Sequence, residues 1–438
     1  MVHADIHPSK PASLREDAVE AVRRLRAAGH EAYFAGGCVR DELLGLAAAD
    51  FDIATSAPPA EVRKIFPRTQ AVGVAFGVIL VKLGQSTIEV ATFRTEGVYE
   101  DGRRPVSVRF ASAQEDAQRR DFTINGLFFD PIENRVMDYV GGQADLAAKC
   151  LRAIGNPAER FREDHLRLLR AVRFAARFGF AIEPTTAAAI RKDAPLLKRI
   201  SPERIADELR RMLTTAARNA AWRMLWDFGL IHTICRGLSS TEAAEPAGLD
   251  ESRCPVFHLA GGQDAIPFAL AIAAGVLSYR LHAKAAPAEL RTLLQHAEVQ
   301  AAIRAMRHSL RLSNDESAAM QEILASAGTL LADPEPRLAT LKRFMAKPTA
   351  DLTRQLLDSL AAISHHRDRV GWLTPRLAAL EGEEVAPVPL VTGDDLTTAG
   401  LHPGPQFKGI LEAVYDAQLE STVTDKASAM KMAMELAK

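Results

Sequence analysis

Strand-like periodicity stops early in this chain. Between Glu31 and Phe93 short apolar runs alternate and are bounded by glycine, whereas beyond Asn156-Pro157 nearly every apolar pattern repeats at 3.6 residues. Such a sequence cannot build one continuous sheet, so its strands must gather in an N-terminal α+β domain and the remainder must pack as helices. The first part reads as a helix carrying Val19, Val22 and Leu25 and closed by Gly29, a strand over 31–35, and the pair Gly36-Gly37. A helix through Leu44 follows, then a strand over 50–54, a helix from Pro58-Pro59 to Phe66, and strands over 77–83 and 86–93. No regular βαβ series appears, which argues against a doubly wound sheet. Further on, 205–213 and 288–310 read as helices, and the Gly/Pro/Ser-rich stretch 237–267 as a linker or extended loop.

At 438 residues the chain has room for about three domains. Lys+Arg 54 against Asp+Glu 55 leaves a net charge of -1, so no global basic field points to a polyanionic partner. The average conceals an imbalance. Residues 149–211 hold 15 Lys/Arg and 8 Asp/Glu, a balance of +7, while 241–438 hold 19 and 25, a balance of -6. A local phosphate-binding surface fits the basic segment, although solvated Arg heads on a helix are the simpler explanation of charge alone. Cys38, Cys150, Cys235 and Cys254 lie far apart without a CxxC pair, which opposes a zinc site or a disulfide framework and suits a reducing compartment. The N-terminus lacks an apolar core segment, and no run approaches the ~20 uncharged residues of a membrane span. The expectation is a soluble, cytoplasmic, multidomain protein with no membrane partner.

Three stretches carry candidate chemistry. In GGCVRDELLGLAAADFDIAT (36–55), Asp50 and Asp52 are two apart on an expected strand, so both carboxylates project from one face. Two adjacent carboxylates repel, and Mg²⁺ relieves this with one or two carboxylates plus substrate phosphates. Glu89, alternating with Ile88 and Val90, would add a third carboxylate for a two-metal phosphoryl-transfer site. A bare DxD is a weak signal, common on solvated surfaces. The paired glycines strengthen it, because they let backbone amides approach a phosphate, and Arg40 is placed to pair with a triphosphate.

In QRRDFTINGL (118–127), Arg119 and Arg120 supply charge, while Asp121 and Asn125, four apart, suit ribose hydroxyls. A helix N-terminus capped by Asp121 or Thr123 explains the same residues. In NPAERFREDHLRLLRAVRFAARFGF (156–180), Asn156 and Pro157 make an N-cap and first-turn pair. Asp164 and Arg167 are then i and i+3 neighbours on one helix, followed by Arg170, Arg173 and Arg177. An acceptor beside a donor matches the edges of cytosine and adenine and mismatches uracil and guanine, with rejection enforced by unpaired polar groups. An intrahelical salt bridge is the plain alternative.

Taken in order, GGCVRD…DFD, IEVATFRTEG, RRDFTINGL and EDHLRLLRAVRF followed by SPERIADEL resemble the class II tRNA nucleotidyltransferase and bacterial poly(A) polymerase family of the polymerase-β-like nucleotidyltransferases. The likeness runs from about residue 31 to 213 and resumes in PLVTGDDLTTAGLHPGPQFKGILEAVYDAQLE (389–420). It implies an α+β nucleotidyltransferase head with a mostly antiparallel sheet (1–150) and all-α neck (151–240), body (241–385) and tail (386–438). By position it implies that Asp50 and Asp52 bind Mg²⁺, two ions in all, with Glu89 as third carboxylate. Gly37 and Arg40 would contact the incoming nucleotide. Arg120, Asp121 and Asn125 would hold its phosphate and ribose, and Asp164, Arg167, Arg170 and Arg173 its base and phosphates. The segment 95–108 matches the family's flexible loop.

The implied reaction is template-independent addition of CCA to the 3′ end of tRNA from CTP and ATP. The partner would be the tRNA 3′ end and its acceptor/T arm, with HPGPQFKGIL (402–411) touching RNA or serving as a plain interdomain turn. VGVAFGVILV (72–81) lacks the basic residues usual in poly(A) polymerases, and the loop is usually absent from CC-adding enzymes. An A-adding enzyme is harder to separate. A non-catalytic RNA-binding protein, and a His/Asp metal site at His365, His366 and Asp368, are the remaining readings; a polar helix face accounts better for the latter.

Overall fold

The structure, a computed structural model, describes residues 10–71, 77–96, 108–238, 248–259, 265–282, 290–332, 334–363 and 366–437. Outside them lie most of the expected loop 95–108, residues 72–76 of the stretch set against poly(A) polymerases, much of the 237–267 linker, and His365. The chain falls into two compact units, Met1–Met212 with Ala220–Ile234, and Leu213–Asn219 with Cys235–Lys438.

The first unit is built on a seven-stranded sheet. Helix α1 (Lys10–Ala27) leads into β1 (Ala32–Ala35), α2 (Gly37–Leu43), β2 (Asp52–Thr55), α3 (Pro59–Ile65), β3 (Thr69–Ala71), β4 (Val78–Leu83) and β5 (Ser86–Thr92). A short ribbon, β6 (Arg94–Glu96) with β7 (Val108–Phe110), precedes α4 (Ala113–Gln118), β8 (Leu127–Asp130) and β9 (Arg135–Asp138). The strand order is β3-β4-β5-β2-β1-β8-β9, and only β2 and β5 run parallel. The mostly antiparallel α+β head therefore holds. One departure matters: β2 starts at Asp52, so Asp50 precedes the strand.

Period-2 alternation sorts the sheet's faces. Phe34 and Ile53 are fully buried, and α1 lies along β1, β2 and β5 with Ala18, Ala21, Val22 and Leu25 inside. Ala35, Ala54, Phe93 and Phe128 pack with Ala113 and Ala117 of α4 in a separate cluster. Each large side chain so buried contributes roughly 1.5–3 kcal/mol. Because Ala54 shares its face with Asp52, the same packing that seats α4 brings that helix beside the acidic residues. Ser112 fixes the start of α4 through a capping box with Glu115.

Beyond the sheet come α5 (Gly142–Ala147), α6 (Pro157–Glu163), α7 (Arg167–Phe178), α8 (Pro184–Asp193) and α9 (Pro202–Leu213). Asn156 caps α6, accepting from the Ala158 amide at 3.0 Å, with Pro157 in the first turn, as the sequence indicates. The single helix expected over 156–180 is instead two. Asp164 is extended (φ −143°, ψ 105°), its Oδ1 accepts from the Leu166 amide at 3.0 Å, and His165 Nδ1 donates to the Phe161 carbonyl at 2.7 Å. Those bonds satisfy backbone groups that a helix break would leave bare. The all-α expectation also misses a two-residue parallel pairing of Cys150-Leu151 with Ala181-Ile182.

The second unit is helical throughout its described residues. Helix Phe268–His282 is buried continuously from Phe268 to Arg280, which places it at the centre of that unit's core. Val391, Leu396, Ile410 and Val414 anchor a further cluster under the last helices, and after Pro403-Gly404 a helix begins at Gln406. All four cysteines are free. His366 and Asp368 begin helix Arg367–Ala378, and no group of three or more Asp, Glu, His or Cys placed to hold a metal ion occurs among the described residues. No described helix is long and apolar enough to cross a membrane.

Candidate active site

One cleft of about 790 Å³ in the first unit is lined by all twelve residues singled out from the sequence: Gly37, Arg40, Asp50, Asp52, Glu89, Arg120, Asp121, Asn125, Asp164, Arg167, Arg170 and Arg173. They come from five separate elements and the loops between them. Nine arginines and six carboxylates line the same space, so its walls carry a positive surplus suited to a polyphosphate.

The acidic wall stands on β2 and β5. Asp52 and Glu89 are register partners in the parallel pair, so their side chains leave the sheet on one face, and Asp50 precedes β2 by two residues. Asp52 is half-buried, and Asp50 and Glu89 are exposed. Among the described residues none of the three makes an ion pair. Burial, then the charges of Glu89 and Asp50, push the Asp52 carboxyl up to about 7 against the opposing pull of Arg120. The three do not gather into one three-ligand metal group. Mg²⁺ takes only one or two carboxylates and completes its shell from phosphates and water, and carboxylates short of positive charge are the donors that suit it. Cys38 lies beneath this wall, its thiol directed at the carbonyls of Ala35 and Asp52, and burial raises it to about 12.

The glycine that the fold requires here is Gly36. Its φ is +73°, and a Cβ there would sit 2.7 Å from Arg120 Nη1, whereas at Gly37 a Cβ would meet Arg40 Nη2 at an ordinary 3.7 Å. Sequence reasoning named the second glycine as the contact; backbone conformation singles out the first.

The basic wall is held from behind by buried acids. Asp116, 1% exposed, receives Arg119 on Oδ1 at 2.7 Å and Arg120 on Oδ2 at 3.0 Å. Burial alone would raise the Asp116 carboxyl; Arg120 and Arg119 outweigh it and keep it below the ordinary value. Asp121 accepts Arg170 Nε and Nη2 at 2.8 and 2.6 Å on one oxygen, and the Asn125 amide and Phe122 N–H at 3.0 and 2.8 Å on the other. Burial again opposes, yet the Arg170 charge and these bonds hold it at about 2. With both oxygens engaged, Asp121 orients Asn125 and Arg170. Arg173 pairs with buried Glu208 at 2.7 Å, and burial pulls its guanidinium down to about 10 despite that partner.

The base-reading candidates straddle the break between α6 and α7. Asp164 ends the first helix and pairs with Arg204 at 2.8 Å; Arg167 begins the second and pairs with Glu163 at 2.5 Å. Asp164 lies before α7, which begins at Arg167, so the two do not share a helix, and both line the cleft. Sequence reasoning missed Asp116, Asp41, Glu208 and Arg204 as supports, and Phe174, over which Arg173 lies at 4.3 Å. Only Asp116 had a local signal, its i+3 and i+4 spacing from Arg119 and Arg120.

Residues 32–152 match the poly A polymerase head domain family, and residues 179–241 a family described as the probable RNA and SrmB- binding site of polymerase A. The CCA-adding enzyme of Lacticaseibacillus paracasei is 50% identical over 204 residues, 46% of this chain and 51% of that protein. That of Limosilactobacillus fermentum is 47% identical over 237 residues, 54% and 56% of the two. The chain thus spans about half the length of the curated relatives it matches. A solved structure of the Bacillus stearothermophilus CCA-adding enzyme in complex with CTP superposes with a TM-score of 0.70 at 29% identity, covering 98% of each chain. In residues 32–152 and 179–241 the chain is thus similar to the poly A polymerase head and RNA-binding families, and over about half their length to CCA-adding enzymes.

Proposed function

We propose that this protein adds CCA to the 3′ end of tRNA, taking CTP and ATP in turn without a nucleic-acid template. The observation that carries the reading is the pairing of an uncompensated acidic wall, Asp50, Asp52 and Glu89, with a wall of arginines across one cleft. Asp50 and Asp52, with Glu89 beside them, would hold Mg²⁺, two ions in this scheme, and the cations supply Lewis acidity and charge neutralisation when bound.

The arginines do the rest of the electrostatic work. Arg120, Arg170 and Arg173 bind the triphosphate, Gly37 flanks it, and Asn125, oriented by Asp121, meets the ribose. Arg40, expected from the sequence to contact the nucleotide, is buried with its guanidinium engaged and stands behind Asn125. Asp164 and Arg167 offer an acceptor and a donor to the base. The RNA 3′-hydroxyl attacks the α-phosphorus in line, its P–O bond forms as the bond to the β-phosphate breaks, and pyrophosphate leaves. Alignment and charge neutralisation account for the acceleration. The RNA partner is the tRNA 3′ end with its acceptor/T arm, in the cytoplasm. The four-part division into head, neck, body and tail at 150, 240 and 385 belongs to this proposal.

The test is a tRNA lacking its terminus, offered CTP, ATP or both, with product lengths read on a gel. Two residues added from CTP and a third only with ATP is the expected result. ATP-only extension by one residue identifies an A-adding enzyme, two residues with no third a CC-adding one, and long ATP products a poly(A) polymerase. No magnesium-dependent extension leaves an RNA-binding protein.

A further inference from the structure

A chain of polar groups, buried at Arg40, Asp41, Asn125 and Asp121 and more open at its two arginine ends, ties α2 to α7. Asp41, 6% exposed, accepts Arg40 Nε at 2.8 Å and Nη2 at 2.7 Å, and Arg177 Nη2 at 3.4 Å. Arg40 donates Nη1 to Asn125 Oδ1 at 2.5 Å, Asn125 donates to Asp121 at 3.0 Å, and Asp121 accepts from Arg170. Arginine only donates and a carboxylate only accepts, so the Asn125 amide has one possible orientation in this chain. The polar chain starts and ends on α7, because Arg170 and Arg177 are seven residues apart on one helical face. Between them sits Phe174, which stacks on Phe178 at 6.3 Å, and the Arg40 guanidinium lies 5.2 and 4.7 Å from those two ring centres.

Arg40 is thus 4% exposed, with both ends of its guanidinium engaged and two aromatic rings against it. It is built as a strut. We propose that Asp41 is a positioning residue for nucleotidyl transfer: it holds Arg40 against Phe174 and Phe178, and through Arg40 it sets the Asn125 amide that meets the nucleotide. The inference rests on the reading given under Proposed function. It adds a residue outside the acidic wall and outside the base-reading pair, acting at second hand on the sugar side of the nucleotide.

Because neither Asp164 nor Arg167 belongs to the polar chain, Asp41→Asn should raise KM for CTP and ATP alike, by about tenfold, with kcat changed no more than about threefold. A double-mutant cycle with Asn125→Ala separates positioning from general loosening: the double variant should bind nucleotide no worse than Asn125→Ala alone. Should Asp41→Asn fail to fold, Arg177→Gln removes the half-exposed end of the polar chain and should raise both KM values about twofold to threefold. Additive effects, an unchanged KM, or a change for one nucleotide only overturn the inference while leaving the activity in place. A wild-type chain that incorporates neither nucleotide removes the functional reading and this one together.

Discussion

The two walls of the cleft treat charge in opposite ways. On the basic wall, Arg119 and Arg120 meet Asp116, Arg170 meets Asp121, Arg167 meets Glu163 and Arg173 meets Glu208, each within 3.0 Å. On the acidic wall, Asp50, Asp52 and Glu89 face one another with no ion pair among the described residues, and Asp52 is pushed up to about 7. Buried charge that is balanced fixes geometry, since it gains little net energy but is costly to break. Charge left unbalanced on one sheet face marks where ligands complete the electrostatics. Under the proposed function the difference assigns tasks: the acidic wall would be completed by cation and phosphate, and the basic wall is already paired without them.

The sharpest way to break that contrast is Asp52→Ala. It should lower incorporation by at least on the order of 10²–10³-fold while leaving thermal stability unchanged or raised, because a repelled carboxylate has been removed. A melting curve beside the incorporation assay checks both halves; a strongly destabilised variant would show Asp52 to be structural. Asp121→Asn on the other wall should do the reverse first. It leaves Arg170 buried beside a neutral amide, so unfolding free energy should fall by roughly 3–5 kcal/mol, and activity at saturating nucleotide should fall with it. Chemical denaturation of the two variants in parallel decides whether the walls differ as stated.

The same carboxylate sharpens the comparison in acid. Asp121 is held at about 2 in the folded protein against 3.8 as its ordinary value. The unfolded chain therefore binds the proton first, so the stabilisation is fully present above pH 4 and is lost as pH falls from about 4 to 2. For a shift of that size the contribution is about 2 kcal/mol. Denaturation midpoints over that range should fall more steeply for the wild type than for Asp121→Asn, and parallel curves would remove the pair from the account. Asp164→Ala should act more narrowly, reducing discrimination of CTP against UTP by about tenfold, measured as the ratio of kcat/KM values.

How much of this was legible in the sequence depended on whether a contact is local. The DxD pair, Glu89 in its alternation and the arginine-rich third stretch follow from spacing of two or three to four residues, and all reached the cleft. Gly36 was legible as a turn, but its close approach to Arg120 needed coordinates. The break at Asp164 was hidden because the apolar pattern crosses it without Gly or Pro, and side-chain bonds from Asp164 and His165 replace the usual stop signals. Supports such as Arg204 for Asp164 and Arg177 for Asp41 lie 40 and 136 residues away in the chain, where periodicity carries no information.

That break also yields the mildest expected effect. Helix α6 holds Asp164 at its end, and Asn156 holds its start through one bond to the Ala158 amide. Asn156→Ala removes a cap worth about 1 kcal/mol, and Pro157 keeps the first turn preset, so the helix should fray without leaving its place. Arg160, in the middle of α6, and Glu163, its last residue, retain their contacts with Arg167. Stability should therefore drop by about that 1 kcal/mol, with the KM for CTP and the choice between CTP and UTP unchanged. A loss of base discrimination as large as that of Asp164→Ala would mean that the entire helix, rather than its terminal residue and the arginine after it, sets the reading edge. The cleft would then depend on α6 as strongly as on the buried acids behind its basic wall.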